Sequence, residues 1–305
     1  MKNAIVVCAT PNWLAPAAVT LLSCAQNGAT AYADLFIVCP SPSAKDKSDL
    51  AAFNELNRTP IQLLAVDAGD LNDIDGGHLG IGALLRLKLD QFLPQNLERV
   101  LYLDCDVLAE GALDELFHMN LEGEPFAAVE SIAMMPVINK HAPAHLRALN
   151  INPLRPYFNS GVILFDWPAT VQARILPQCL EVLKSRQNWK FHDQDTLNIV
   201  SKGQWKKLDH QWNVTKKTAD YLNLQAHLRH FNGNAKPWNC KNRFGYAKYR
   251  KYYEQSLQGT PWAEFLDMKQ KPWPLKDNWR ALVRRLSFLK RTKLRSLIQV
   301  QQKLK

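Results

Sequence analysis

The sequence predicts an α/β domain on a mostly parallel sheet, followed by a basic helical tail. Three observations predict it. Short, continuous apolar runs recur through the first half of the chain, and segments with helical spacing of apolar residues separate them. Of the 305 residues, 47% are hydrophobic and 22% charged, which are globular proportions that exclude a disordered, collagen-like or fibrous protein. The charge is concentrated at one end: residues 280–305 hold nine Lys and Arg and no acid, so they carry +9 of the net +10 and leave 1–279 nearly neutral.

The apolar run from Ala4 to Ala9 reads as a buried parallel strand. Ala18, Leu21, Leu22 and Ala25 give residues 16–26 a helical face, and Gly28 stands where that helix would stop. A second strand from Asp34 to Cys39 ends in the turn chemistry of Pro40, Ser41, Pro42 and Ser43. Residues 44–56 read as a helix, Ile61 to Val66 as a third strand, and residues 80–93 as helical. A fourth strand runs from Arg99 into Asp104, Cys105 and Asp106. Phe126 to Val129 and Gly161 to Phe165 are further strands, and from about residue 168 the chain reads as helix and loop. Strand–helix alternation of this kind implies right-handed βαβ units. The expected division is one domain over 1–275 and a tail over 276–305.

Six cysteines are too dilute for a disulfide framework and form no CxxC pair. Buried thiols in a reducing compartment are therefore expected. No apolar run approaches the roughly 18 residues of a membrane span. Thr10 and Pro11 interrupt the first run too early for a signal peptide. The expected location is the cytoplasm. A nearly neutral body also argues against a nucleic-acid-binding domain, which spreads basic residues over a face.

Asp104 and Asp106 flank Cys105 directly after an apolar strand. Ligands of open α/β sheets bind at the carboxyl ends of strands. Two carboxylates one residue apart there can share one hard divalent cation, and such a cation offsets the charge of a diphosphate. The pair alone is also compatible with solvated loop aspartates, or with a helix N-cap at Asp106 or Asp114. A haloacid-dehalogenase arrangement would need the pair after the first strand, and here it follows the fourth. Further polar segments lie downstream: Tyr157 to Leu164, containing Asn159, Ser160 and Gly161; His192 to Asn198, containing Asp193, Gln194 and Asp195; and His230 to Trp238, containing Gly233 and Lys236. A glycine-containing loop lets backbone N–H groups approach phosphate, and a lysine adds charge. Asp195 reads as a cap or ion-pair partner. Glu130, at a strand end, faces either a sugar hydroxyl or water. His192 reads as a neighbour of the site.

In this order, the strand-end DxD, YFNSG, DQD and HxxGxxKPW motifs resemble glycosyltransferase family 8. That family comprises retaining lipopolysaccharide galactosyl- and glucosyltransferases and glycogenin-like enzymes, and the resemblance runs from residue 4 to about 240. It implies a GT-A type, Rossmann-like nucleotide-sugar-binding fold, a donor that is usually UDP-linked (a UDP-hexose), and Mn²⁺, with Mg²⁺ as a substitute. Asp104, Asp106 and His230 would hold the metal. Gly233 and Lys236 would contact the diphosphate, and Cys105 would lie with them along the donor. His78 and Arg86 match the family's donor-contacting helix and its entrance. Asn159, Asp193 and Gln194 match positions around the donor sugar and would carry the catalytic roles. An amide such as Gln194 is a poor nucleophile, so front-face attack is expected over double displacement. The family commonly has acids after the first strand that meet uracil. Here Thr10 and Pro11 replace them, while Asn12 and the ring of Trp13 keep an amide and a stacking surface.

The implied activity is transfer of a hexose to a saccharide or lipid-linked saccharide acceptor in lipopolysaccharide or other surface-glycan assembly. Two alternatives from other classes are a non-catalytic nucleotide-binding peripheral membrane protein and a metal-dependent phosphohydrolase. Trp279, Leu282, Val283, Leu286 and Leu289 recur at helical spacing beside Arg280, Arg284, Arg285 and Lys290. That is the pattern of an interfacial helix on an anionic surface, here the inner face of the cytoplasmic membrane. Each basic residue near a charged leaflet contributes about 1 kcal/mol. Deleting residues 276–305 should abolish sedimentation with anionic liposomes and leave transfer to a soluble acceptor largely unchanged. Unaltered sedimentation of the truncated protein would place the anchor elsewhere.

Overall fold

The computed structural model describes residues 2–74, 80–186, 189–222, 224–239 and 246–268. His78 and the expected tail, 276–305, lie outside the described residues. Nine strands are described: β1 (Asn3–Cys8), β2 (Asp34–Pro40), β3 (Ile61–Val66), β4 (Arg99–Leu103), β5 (Val107–Ala109), β6 (Phe126–Glu130), β7 (Phe158–Asp166), β8 (Lys206–Leu208) and β9 (Leu228–His230). Seven of them form a sheet in the order β3-β2-β1-β4-β7-β6-β8, and β5 and β9 form a separate ribbon. β1, β2, β3 and β4 pair in parallel, as do β6 and β8; β7 runs antiparallel to both its neighbours. The expected α/β class with a mostly parallel sheet is what the chain forms.

The continuous apolar runs follow from burial on both faces. Ile5 and Val7 of β1 enter one core, together with Leu14, Leu21 and Leu22 of the helix Leu14–Gln26. Ala4, Val6 and Cys8 enter the other, with Leu84, Leu87, Tyr102 and Trp167. Each fully buried leucine contributes about 1.5–3 kcal/mol over leaving it in water. The helix Ala44–Asn57 starts where its sequence predicts, through a capping box between Ser43 and Asp46.

Three elements differ from the sequence expectation. Residues 80–93 form the helix Gly80–Leu84, a 3-10 segment Leu85–Lys88 and the helix Leu89–Phe92. The tighter turn buries four consecutive residues, so Arg86 and Lys88 point inward together with Leu85 and Leu87. The fourth strand stops at Leu103, and Asp104 to Asp106 form a turn into β5. The region read as helix and loop also contains β8 and β9, each of three residues, and the helix Ala247–Leu257. The buried side of that helix is carried by Tyr249, Arg250, Tyr253, Ser256 and Leu257.

The chain winds outward from β1 to β3, then returns to β4 on the other side of β1. The switch point therefore lies between the carboxyl ends of β1 and β4, where such sheets bind ligands. Thr10 to Trp13 leave one of these ends and Asp104 to Asp106 the other. Thr20, fully buried in the helix Leu14–Gln26, donates its hydroxyl to the carbonyls of Cys105 (3.1 Å) and Val107 (2.8 Å). Ser23 accepts from the Ala109 amide at 2.9 Å. The aspartate turn is thus tied to a core helix. Thr20→Val keeps the shape and removes the donor, so unfolding free energy in urea should fall by about 1–3 kcal/mol. An unchanged transition would show that the tie adds nothing.

Candidate active site at the strand-end carboxylates

β4 delivers Asp104, whose amide donates to the Gly161 carbonyl of β7 at 2.9 Å. The turn closes with Val107 N–H on the Asp104 carbonyl at 3.1 Å. β5 then pairs antiparallel with β9, with Val107 opposite His230. The Phe231 amide donates to the Asp106 carbonyl at 2.9 Å. This ribbon carries a histidine from far along the chain onto the carboxylate pair. His230 Nε2 lies 3.2 Å from Asp106 Oδ1 and 3.6 Å from Asp104 Oδ2. One ligand atom from each of the three residues lies within 4.8 Å of the others.

Gly161 makes this approach possible. A Cβ there would sit 2.2 Å from His230 Cε1 and 2.7 Å from Asp104 Oδ2. The three residues offer carboxylate oxygens and one imidazole nitrogen. That donor set suits Mn²⁺ or Mg²⁺, and the Gly161 gap leaves the histidine room to join it. The Cys105 thiol, between the aspartates, is pushed well above the ordinary thiol range by burial.

Two cations balance the carboxylates. Arg86 is almost wholly buried, and its NH2 donates to Asp104 Oδ1 at 2.6 Å. Its Nε lies 3.2 Å from Asp193 Oδ2, its NH1 donates to the Ser160 carbonyl at 2.8 Å, and its Cζ lies 4.3 Å from the centre of the Tyr102 ring. Its guanidinium is therefore paired internally. Lys236 pairs through Nζ with Asp106 Oδ2 and donates to the Phe231 carbonyl at 2.8 Å. Burial alone would push the Asp106 carboxyl up, but Lys236 and His230 more than offset it and hold the group well below the usual carboxylate range. For Asp193, burial prevails and pushes its carboxyl up; Arg86 and the Ser160 hydroxyl, which donates to it at 3.0 Å, counter only part of this.

Asn159, on β7, and Gln194, on the helix His192–Ser201, meet directly: Asn159 Nδ2 donates to Gln194 Oε1 at 2.7 Å. Gln194 Oε1 also accepts the Ser160 amide at 3.2 Å. Asp195 is fully buried and accepts from Tyr157 Oη at 2.6 Å and the Phe191 amide at 3.1 Å, with His145 Nε2 at 2.9 Å. It is the internal partner that its sequence context suggested. Glu130 is buried and paired with Lys207.

The end of β1 is looser. Asn12 and Trp13 are exposed, and Thr10 is half-buried against Gly82, whose Cβ would meet the Thr10 amide nitrogen at 3.2 Å. Trp13 lies edge-on to Trp238, with ring centres 6.0 Å apart, so the end of β1 touches the loop that follows His230. Gly233 is exposed at φ 86°, a left-handed conformation that favours glycine. The structure thus joins Asp104, Asp106, His230, Lys236, Arg86, Asp193, Asn159 and Gln194 in one network, with Thr10, Asn12 and Trp13 at its margin. Sequence reasoning missed Tyr102, whose hydroxyl donates to Asp104 Oδ1 at 2.9 Å, and Asn213, which contacts both His230 and Asn159. Neither lies in a recognisable motif.

Comparison with known proteins agrees with this geometry. The chain is 27% identical over 267 residues to a lipopolysaccharide 1,2-glucosyltransferase of Escherichia coli K12, covering 83% of this chain and 77% of that protein. It is 26% identical over 189 residues to a lipopolysaccharide 1,3-galactosyltransferase of Salmonella typhimurium, covering 58% and 54% respectively. Its fold is similar to that of the galactosyltransferase LgtC, solved with donor and acceptor sugar analogues: TM-score 0.75, 20% identity, 86% of this chain and 99% of that one. The sequence profile described as "Glycosyl transferase family 8" matches residues 4–242, most of the chain, including every segment that builds the site. The chain belongs to glycosyl transferase family 8.

Proposed function

We propose that the protein is a retaining, metal-dependent hexosyltransferase that moves a hexose from a nucleotide sugar, UDP-linked, to a saccharide acceptor. The observation that carries this reading is the convergence of Asp104, Asp106 and His230 with Lys236 at the switch point of the sheet. An oxygen- and nitrogen-lined centre with an adjacent ammonium suits a diphosphate leaving group better than a hydrolytic nucleophile. Relatives named for lipopolysaccharide glucosyl- and galactosyltransfer support an acceptor in lipopolysaccharide or another surface glycan. A lipid-linked acceptor would fit a basic tail that holds the enzyme at the inner face of the membrane.

In this reading Asp104, Asp106 and His230 hold Mn²⁺ or Mg²⁺. The bound cation supplies electrostatic stabilisation of the charge that develops on the diphosphate. Lys236 adds a second positive charge on the same side, and the Gly233 loop lets backbone approach the phosphates. Asn12 and Trp13 receive the base. Asp193, oriented by Arg86 and Ser160, accepts from sugar hydroxyls. Gln194 faces the sugar beside Asn159, and both acceptor positions of its Oε1 are already taken by N–H donors. That favours front-face substitution: the bond from the anomeric carbon to the phosphate oxygen breaks, the acceptor oxygen bonds on the same face, and its proton passes to the departing phosphate.

The test is nucleotide release from UDP-glucose and UDP-galactose, with Mn²⁺ or with EDTA. UDP should appear with Mn²⁺, and chelation should stop it. Release of inorganic phosphate instead would make the protein a phosphohydrolase, and tight donor binding without turnover would make it a non-catalytic binder. Asp106→Asn keeps the shape and removes the charge, so turnover should fall by about 10²-fold or more. Near-normal turnover by this variant would remove the metal assignment.

Gly161→Ala should disturb His230 and Asp104 together, since its methyl group would meet both side chains. Mn²⁺ affinity, measured by titration calorimetry, should weaken by about 10–100-fold. An unchanged affinity would show that the close approach of His230 to Asp104 is not needed to hold the metal.

A further inference from the structure

We propose that Asn213 is a positioning residue that fixes the tautomer of His230, as the last link of a one-directional hydrogen-bond chain running from Asp195. The inference rests on the proposed metal role of His230. Its geometry is independent of any cation.

The direction of the chain is set by groups that have no choice. The backbone N–H of Ser160 can only donate, and it points at Gln194 Oε1 at 3.2 Å. The backbone N–H of Gly161 likewise points at Asn159 Oδ1 at 3.2 Å. Both side-chain amides are therefore fixed end for end. Gln194 Nε2 then faces the Tyr157 oxygen at 3.1 Å, and Tyr157 passes its own hydrogen to Asp195 at 2.6 Å. Asn159 Nδ2 faces Gln194 Oε1 at 2.7 Å. Asn159 Oδ1 takes a second donor, Asn213 Nδ2, at 2.8 Å. That contact orients the third amide and turns Asn213 Oδ1 toward His230 Nδ1, 3.0 Å away. An amide oxygen only accepts, so the imidazole proton must sit on Nδ1. In the neutral ring the lone pair is then left on Nε2, the atom on the side of Asp104 and Asp106, where it would meet a cation held between the three residues.

Every link points the same way, and reversing any one of them would set two donors or two acceptors face to face. The chain is sheltered: Tyr157, Asp195, Asn213 and His230 are all buried. The register that places Asn213 comes from its neighbour. The Val214 amide donates to the Leu228 carbonyl at 2.8 Å, and the His230 amide donates to the Val214 carbonyl at 3.1 Å. A fixed tautomer matters because a metal-ligating histidine works only through its unprotonated nitrogen, and the partner of the other nitrogen selects which one that is.

The direct test needs no variant. In metal-free protein carrying ¹⁵N-labelled histidine, long-range proton–nitrogen correlation should show the Nδ1 of His230 protonated, and addition of Mg²⁺ should leave the Nδ1–H tautomer. An Nε2–H tautomer would overturn the proposal. Asn213→Leu should give a tautomer mixture and about 10–100-fold weaker Mn²⁺ binding, while Asn213→Asp, which retains an acceptor, should restore the Nδ1–H form. Wild-type Mn²⁺ affinity in Asn213→Leu would also overturn it. If the wild-type protein showed the Nδ1–H tautomer but bound no Mn²⁺, the positioning chain would hold and the metal reading would fail.

Discussion

Crowding of negative charge is the constraint on which this site is built. Asp104, Asp106 and Asp193 converge where the sheet offers little water, and two like charges about 4 Å apart repel by about 4 kcal/mol at an effective dielectric of 20. Each carboxylate needs a positive partner, and local sequence supplies none. Arg86 reaches Asp104 and Asp193 from the broken helical segment and Lys236 reaches Asp106 from the loop after β9, while β9 itself lays His230 beside the aspartate pair. The β5–β9 ribbon, the 3-10 turn at Leu85–Lys88 and the bare Cα of Gly161 are three separate ways of bringing those partners in. In this light, the departures from regular secondary structure are consequences of the charge balance.

Arg86 shows how such a balance divides labour. A guanidinium is planar and always charged, so it can join two carboxylates and a carbonyl at fixed angles, whereas an ammonium acts nearly as a point charge. Arg86 takes the buried bridging position, and Lys236 takes the edge where its charge also reaches outward. The arginine sets the shape of the site, and the lysine ties Asp106 to the loop after β9.

Much of this was legible in the sequence, for identifiable reasons. β1, β2 and β4 are buried on both faces, which leaves an unbroken apolar run for each. The carboxylates stand out because they follow such a run directly. His230 and Lys236 were legible only through the spacing of a family motif, because their partners lie far away in the chain. The partners of Arg86 were not legible, since a helix carrying Leu84, Leu85, Leu87 and Leu89 looks regular and Asp104 and Asp193 lie far from it in the chain. β8 and β9 have three residues each, too few for any periodicity to show. Asn213 carries no local signal, and its role exists only through the register of Val214 against Leu228 and His230.

The shortness of the β5–β9 ribbon has a dynamic consequence. The seven-stranded sheet is held by long paired strands, whereas the ribbon has three residue pairs, from Val107 with His230 to Ala109 with Leu228, and a single bridge from Arg229 to Val214 on its other side. Cooperative units of a folded protein open independently, and small ones open at lower free energy than the whole. Fraying of the ribbon would carry His230 and the Lys236 loop away from the aspartates while the sheet stayed folded. Amide protons of the ribbon would then exchange with solvent ahead of those in β1 and β4, and a ligand spanning both sides would act as a clasp on that opening.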